Sequence, residues 1–137
     1  MNFNCSKELL QKHAEYVQNL IDKKDFPAMT SGCEYDNSRE CCKSANWVGV
    51  HYHQSLKDAV AGKLGLSIGD SNGYSANGRP LTIGTCAEQH AANAVLKSCT
   101  PDETIPFDVT NLLFSPAIRP KGKKVKDPCG NCNTIFS

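Results

Sequence analysis

The chain has 137 residues, a formal net charge of +1 and 39% hydrophobic residues. This length predicts a single domain over residues 1–137, because two ordinary hydrophobic cores need a longer chain. The near-zero charge argues against a protein that mainly coats nucleic acid but permits a local basic groove, and no apolar run approaches the ~20 residues of a membrane span, so no membrane association is expected.

The N-terminal part of the chain, residues 1–44, is predicted to hold one helix and an irregular segment. Apolar residues recur at three- and four-residue steps over 6–23, which indicates an amphipathic helix. Ser6 is its expected N-cap, and His13 lies on the apolar stripe, where we expect it to pack in the core. Residues 25–44 follow no hydrophobic period, so no regular element is predicted there.

The following residues begin the predicted core of the domain, 45–137. A strand is expected over 45–52, where strand formers are frequent. A short helix capped by Ser55 is expected to follow and to end at Leu64. Beyond it, Asn-Gly turn signals predict a hairpin with one strand near Tyr74 and another at 81–83.

The last third of the chain is predicted to add two helices and one strand. A helix over 86–98 is capped by Thr85, and a mostly apolar strand follows over 107–115. A basic loop over 115–127 then leads into a final helix, with Asp127 as its cap and Pro128 at its first position. This alternation of helices and strands is typical of an α/β sandwich.

Eight cysteines are the most unusual feature of the composition. Their even number fits the disulfide framework of a secreted domain. The chain is, however, above the size at which disulfides become necessary, and its N-terminus shows no signal peptide. We therefore predict a reduced chain in the cytoplasm of the producing or target cell. Five residues fit no zinc-binding spacing and are expected to be loop, packed or solvated residues: Cys33, Cys41, Cys42, His51 and His53.

Three other cysteines are predicted to bind one zinc ion. Cys86 opens one predicted helix, and Cys129 and Cys132 lie one turn apart at the start of another. Free N–H groups and the dipole of a helix N-terminus stabilise a thiolate, which is the form that binds zinc. If the two helices lie side by side, the three thiolates can hold one ion, and Glu88 can reach its open fourth position and move protons there.

Two other interpretations of these cysteines stay open. A structural zinc site needs four protein ligands. Cys99 lies more than three turns from Cys86 along the helix, which is too far, whereas His90 lies one turn on and could close the site. A redox Cys-x-x-Cys would use Cys129 and Cys132 alone, normally after a strand.

At these residues the chain resembles the cytidine deaminase superfamily. The signature of that superfamily is His- or Cys-x-Glu followed by Pro-Cys-x-x-Cys. It is matched here by Cys86-Ala87-Glu88 and by Pro128-Cys129-Gly130-Asn131-Cys132, and the resemblance covers about 47–136. The two motifs are most similar to the deaminase domains of bacterial polymorphic toxins, including the YwqJ-like group. The resemblance implies a three-layer α/β/α sandwich with a small central mixed sheet.

The same resemblance implies a function. Cys86, Cys129 and Cys132 would hold Zn²⁺, and Glu88 would shuttle protons while activated water attacks C4 of cytosine and ammonia leaves. The implied protein is a hydrolytic deaminase that converts cytosine to uracil in nucleic acid, with DNA favoured over RNA. It would be a monomeric toxin effector domain with an immunity protein as a possible partner. A free nucleoside or nucleotide cytidine deaminase and a non-catalytic, zinc-stabilised interaction domain are the alternatives.

Two departures from the superfamily bear on substrate and sheet size. Free-nucleoside deaminases carry an Asn-x-Glu that holds the ribose upstream of a segment like 80–83. Residues 73–78 here contain no such carboxylate, which argues against a free nucleoside and favours a polymeric or different substrate. The superfamily also has further strands after the last helix, whereas this chain ends five residues after Cys132. A smaller sheet, a cut terminus or an edge completed by a partner is therefore expected.

Binding a base within nucleic acid requires cations along the backbone and a surface on which the extruded base can stack. Tyr74, on the Gly-rich loop, is the expected stacking residue. The basic run before the last helix is expected to rim the pocket, with a solvated basic loop as the alternative. The other predicted substrate-binding residues are Ser115, Arg119, Lys121, Lys123 and Lys124, with Lys126 next to them on the rim.

Overall fold

Four α-helices and six strands form along the chain in the computed structural model, which describes all residues from Met1 to Ser137. The helices are α1 (Lys7–Asp22), α2 (Gln54–Leu64), α3 (Ala87–Cys99) and α4 (Gly130–Ile135). The strands are β1 (Thr30–Tyr35), β2 (Ser38–Lys43), β3 (Ser71–Tyr74), β4 (Pro80–Thr82), β5 (Leu113–Arg119) and β6 (Lys124–Lys126). None of the four helices combines the length and the apolar character needed to cross a membrane.

The main sheet has four strands in the order β2-β1-β5-β6, and every neighbouring pair in it is antiparallel. The predicted mixed sheet is therefore wrong in this detail: the one parallel pairing is an isolated bridge between Asn2 and Leu113. Strands β3 and β4 form a separate two-stranded hairpin. Antiparallel neighbours can be joined by short turns, which is how β1–β2 and β5–β6 are connected.

Helices cover both faces of the sheet, which confirms the predicted α/β sandwich with three layers. On one face, α1 packs against β1, and the buried His13 ring contacts the hydroxyl groups of Thr30 and Ser115 at 2.8 and 2.7 Å. On the other face, α3 packs against β1 and β2. Successive residues of a strand point to opposite faces, so Cys33 and Phe114 enter the core beneath α3.

The segment 25–44, for which no regular element was predicted, contributes the β1–β2 hairpin and so half of the main sheet. Its β1 lies between β2 and β5, so residues 1–44 belong to the same folded unit as 45–137. The sequence did not predict this hairpin because several of the buried side chains of β1 are polar and give no apolar pattern. Glu34, for example, is 3% exposed and accepts hydrogen bonds from the backbone N–H and hydroxyl of Ser6.

Two other element predictions are also wrong. Residues 45–52 form no strand but an irregular connection with a turn at Gly49, where φ is +78°. The predicted strand over 107–115 begins later, because Asp108 caps a 3₁₀ turn over Val109–Asn111 before β5 starts. Strand β5 then continues through the predicted loop to Arg119 and pairs with β6.

The helix boundaries agree closely with prediction, whereas the caps differ. Ser6 caps α1 as expected, its hydroxyl accepting from the Leu9 N–H at 3.1 Å. In α2 the cap is His53, whose Nδ1 accepts from the Ser55 N–H. The N-caps of α3 and α4 are the cysteines themselves, Cys86 and Cys129, one and two residues beyond the predicted Thr85 and Asp127.

Candidate metal centre

A tight turn places Cys86 at the start of α3. Gly84, at φ +104°, makes the turn from β4 into the helix, and a Cβ there would lie 2.8 Å from Ile68 and 2.9 Å from Trp47. Only glycine fits this combination of backbone conformation and crowding. The turn is tied on both sides, because Gly84 N–H donates to Gln89 and the Tyr52 hydroxyl donates to the Gly84 carbonyl, each at 2.5 Å.

Helix α4 presents the other two cysteines one turn apart. Cys129 is the N-cap, and its backbone carbonyl accepts a hydrogen bond from the Asn133 N–H at 3.1 Å. Cys132 is fully buried, and its sulfur lies 3.5 Å from Nε2 of Gln89 on α3. Gln89 thus links the turn before α3 to the cysteine of α4, and it braces the two helix starts against each other.

The three sulfur atoms meet in one cluster. Their ligand atoms lie within 4.8 Å of one another, and the Cys86 and Cys129 sulfurs are 3.5 Å apart. This separation is too long for a disulfide bond, and all eight cysteines of the chain are free thiols. Cys86, Cys129 and Cys132 therefore form a group that can hold a metal ion.

The protonation of the cluster explains why a cation would suit it. Hydrogen bonds from Cys132 and Cys86 lower the pKa of Cys129, whereas the hydrogen bond to Cys129 raises the pKa values of Cys86 and Cys132. Three adjacent thiols without a metal thus share one stable negative charge. A divalent cation at their centre would stabilise the thiolate form of all three.

Glu88 is the carboxylate next to this cluster. It lies in the first turn of α3 and is only 5% exposed. Burial raises its pKa from 4.5 to about 7, and the nearby Cys129 thiolate adds to the shift. Its carboxylate oxygens are not part of the ligand cluster. A carboxyl group of this kind can both accept and donate a proton near neutral pH.

No fourth protein ligand completes the cluster. His90, the candidate that spacing left open, turns its Nε2 to the Ala45 carbonyl at 3.0 Å. Cys99 ends α3 and lies outside the cluster, as its distance along the helix predicted. The cluster therefore offers three sulfur ligands, and no histidine, aspartate, glutamate or further cysteine belongs to it.

Comparison with known proteins does not identify a family for this chain. Neither family models nor curated proteins nor solved structures give a match for this chain. The functional interpretation of the centre therefore depends on its geometry and on the motif residues.

A pocket of about 910 Å³ opens over the cluster. Cys86, Glu88 and Cys129 line it. Its walls come from four parts of the fold: residues 74–77 and Leu81 of the β3–β4 hairpin, the segment 28–29 before β1, the segment 44–46 after β2, and the β5–β6 hairpin. The carboxyl group and two of the sulfurs thus face a cavity large enough for a nucleobase with part of its sugar.

The predicted substrate residues divide into two groups. Tyr74 and Arg119 line the pocket, as does Lys126. Lys121, Lys123 and Lys124 do not line it.

Two of the predicted substrate residues, Lys123 and Ser115, make contacts on the α1 side of the sheet. Lys123 donates to Gln18 on α1 at 2.7 Å, towards the opposite side of the sheet. The prediction for Ser115 is wrong: the residue is 1% exposed, and its hydroxyl contacts His13 on the α1 face. The error came from taking 115 as the end of a strand and the start of a loop.

Some residues of the centre gave no usable signal in the sequence. Asn46 lines the pocket from a segment that had been predicted as a strand. Gln89 directly follows the first motif, and Asn131 lies inside the second at a position where the motif pattern permits any residue. Their roles depend on which side chains the fold brings together, and a pattern of spacing carries no such information.

Proposed function

We propose that this protein is a zinc-dependent hydrolytic deaminase that converts cytosine to uracil in nucleic acid. The observation that carries the proposal is the convergence of three thiols and no fourth ligand beside a buried carboxyl group at a pocket. Structural zinc sites are usually closed by four protein ligands, whereas catalytic sites keep one position open.

The donor set fits zinc. Zinc–sulfur bonds of ~2.3 Å in a tetrahedral site imply sulfurs roughly 3.8 Å apart. The measured 3.5 Å between Cys86 and Cys129, and the 4.8 Å limit for the whole cluster, bracket that value. Thiolates also select zinc over magnesium or calcium, which prefer oxygen ligands. Cys86, Cys129 and Cys132 are therefore the residues that would hold the ion.

When bound, zinc supplies a water molecule activated for attack at neutral pH. Glu88 accepts a proton from the water and transfers it to the ring nitrogen beside the amino-bearing carbon. The water oxygen would bond to that carbon, Glu88 would carry the proton left on that oxygen to the amino group, and the carbon–nitrogen bond would break to release ammonia. Glu88 suits this role because its carboxyl group is buried beside the cluster, and burial raises its pKa in the metal-free protein.

The walls of the pocket favour a base within a polynucleotide. Arg119 and Lys126 line one side, where they can contact phosphate groups. Tyr74, 73% exposed, lines another and presents an aromatic face on which a base can stack. DNA is the substrate we expect first, and the likeness of the motifs to polymorphic-toxin deaminase domains supports a toxin effector role with an immunity protein as partner.

The test is incubation of the zinc-loaded protein with single-stranded DNA, duplex DNA, RNA and free cytidine, followed by base analysis. We expect uracil in at least one polymer and none with Glu88→Gln. Turnover of cytidine alone would reject the nucleic-acid substrate and favour a nucleoside enzyme. Zinc binding without turnover of any of the four would favour a non-catalytic domain.

A further inference from the structure

One residue of α4 attaches the β3–β4 hairpin to the body of the protein. Asn72 Nδ2 donates to Asn131 Oδ1 at 2.7 Å, and Asn131 Nδ2 donates back to the Asn72 carbonyl at 2.9 Å. All other hydrogen bonds of residues 71–82 stay within the hairpin or reach the residues that directly flank it. The position of the hairpin relative to α4 therefore depends on this reciprocal pair.

The hairpin has little packing to hold it otherwise. It stands between the pocket over the cysteine cluster and a second cavity of about 360 Å³ on the α4 side. Tyr74 lines both cavities, and all four residues of β3 are exposed. Segments with few buried contacts open at low free-energy cost. The two hydrogen bonds between Asn72 and Asn131 are therefore a large part of the interactions that hold the hairpin, and with it Tyr74, against the pocket.

Asn131 belongs to the candidate metal centre by position. It lies between Cys129 and Cys132 in the first turn of α4, and it is 5% exposed. An ion that holds both flanking sulfurs also restrains the backbone that carries the Asn131 amide. In the absence of an ion, the start of this six-residue helix is fixed by fewer interactions.

We propose that Asn131 is a positioning residue that couples occupancy of the metal centre to the placement of the β3–β4 hairpin and of Tyr74 on the pocket wall. The inference rests on the proposed function in one respect, namely that Tyr74 contacts the substrate. The mechanical link between Asn131 and the hairpin is independent of the reaction. Metal binding thus completes the pocket as well as the catalytic centre.

Hydrogen exchange measured by mass spectrometry tests the link without any substrate. Peptides covering residues 71–82 are compared in reduced protein with and without added zinc. Asn131→Ala removes both hydrogen bonds, and Asn72→Ala, at an exposed position, removes only one. Asn133→Ala is the matched control, because Asn133 is an exposed amide of the same helix and makes no hydrogen bond through its side chain.

The expected result is slower hairpin exchange on adding zinc to the wild type and to Asn133→Ala. With zinc bound, exchange of the hairpin should be roughly tenfold faster in Asn131→Ala than in the wild type, and faster by an intermediate factor in Asn72→Ala. Equal protection by zinc in Asn131→Ala and the wild type would overturn the proposal. Wild-type hairpin exchange that does not respond to zinc would overturn it as well.

Kinetics separate positioning from a merely structural role. Because the hairpin carries Tyr74 and not Glu88, Asn131→Ala should raise KM for the polynucleotide at least roughly fivefold and leave kcat within about twofold. A fall in kcat at unchanged KM would contradict the assignment. If no substrate is turned over, the proposed function fails while the exchange result still decides the coupling, so the two failures are distinguishable.

Discussion

Replacing Glu88 with glutamine is expected to make the metal-free protein more stable and to abolish the proposed deaminase activity. Glu88 is 5% exposed, and burial raises its pKa from 4.5 to about 7. A carboxyl group with a raised pKa stabilises the fold below its unfolded-state pKa, and this contribution is lost as pH rises through the folded pKa. Relative to low pH, the raised pKa of Glu88 therefore lowers the free energy of unfolding of the metal-free protein by about 1 kcal/mol at pH 5 and about 3 kcal/mol at pH 8.

Glutamine has nearly the same shape and does not ionise. The Glu88→Gln variant should thus exceed the wild type in free energy of unfolding by about those amounts, with the larger gain at pH 8. Denaturant unfolding of the reduced, metal-free proteins at pH 5 and pH 8 measures both values. Glu8→Gln is the matched control, because Glu8 is the second residue of α1 as Glu88 is of α3, but it is exposed.

The control should show little change at either pH. If Glu88→Gln increased the free energy of unfolding by the same amount at the two pH values, the reasoning would be refuted. A variant less stable than the wild type at pH 8 would refute it as well. The same variant should keep its zinc and lose activity by a factor of roughly 10² to 10⁴, because it can no longer move protons. Residual activity near the wild-type level would remove Glu88 from the proposed chemistry.

Three further predictions concern the metal centre, the sheet and the pocket rim. Cys129→Ser should abolish zinc binding, which metal analysis of the purified protein measures. Cys5→Ser, a control outside the cluster, should bind zinc as the wild type does. Equal zinc contents in the two variants would contradict the assignment of Cys129 as a ligand. Burial lowers the pKa of His13 from 6.5 to about 4. The fold should therefore lose about 3 kcal/mol as pH falls from 6.5 to 4, and unfolding curves of His13→Gln should lack this loss; an unchanged pH dependence would show that His13 is not responsible. Arg119→Ala should weaken binding of single-stranded DNA and reduce the salt dependence of that binding by about one counterion. Lys97→Ala, a control outside the pocket, should leave both the affinity and its salt dependence unchanged. An identical loss of affinity in the two variants would indicate a nonspecific charge effect.

Local signals were sufficient to predict the helices and the metal cluster. The stripe of α1 and its Ser6 cap follow from helical periodicity and hydrogen bonding within one turn. The cluster could also be predicted, because Cys129 and Cys132 are one turn apart and Cys86 starts the only other helix with a suitable thiol and carboxylate. Both depend on interactions that are close in sequence or strongly restricted by chemistry.

The middle of the sheet could not be predicted in this way. Strand β1 is buried on both faces, yet it contains Thr30, Ser31 and Glu34 and shows no alternation of apolar and polar residues. These polar groups are satisfied by partners far along the chain; Thr30, for example, donates to the Ile118 carbonyl at 2.7 Å. A strand stabilised through such long-range hydrogen bonds gives no periodic signal of its own.

The residues that shape the pocket were hard to predict for a related reason. Tyr74 and Arg119 were identified because an aromatic ring on a Gly-rich loop and a cation before a metal-binding helix are chemically conspicuous. Ser115 was misassigned because strand β5 continues four residues beyond the predicted end at 115, so Ser115 lies inside the strand, where its hydroxyl contacts His13. The Asn72–Asn131 pair depends on strand β3 and helix α4 meeting in space, although they are far apart in the sequence.

X-ray absorption at the zinc edge counts the ligands of the ion and so shows whether three cysteines hold zinc with the fourth position open. We expect three sulfurs at ~2.3 Å and one lighter atom at ~2.0 Å that exchanges with small anions. His90→Ala should leave that spectrum unchanged, since His90 contacts the Ala45 carbonyl and not the cluster. Four sulfurs, or an imidazole ligand lost in His90→Ala, would show a closed structural site and contradict the proposed deaminase.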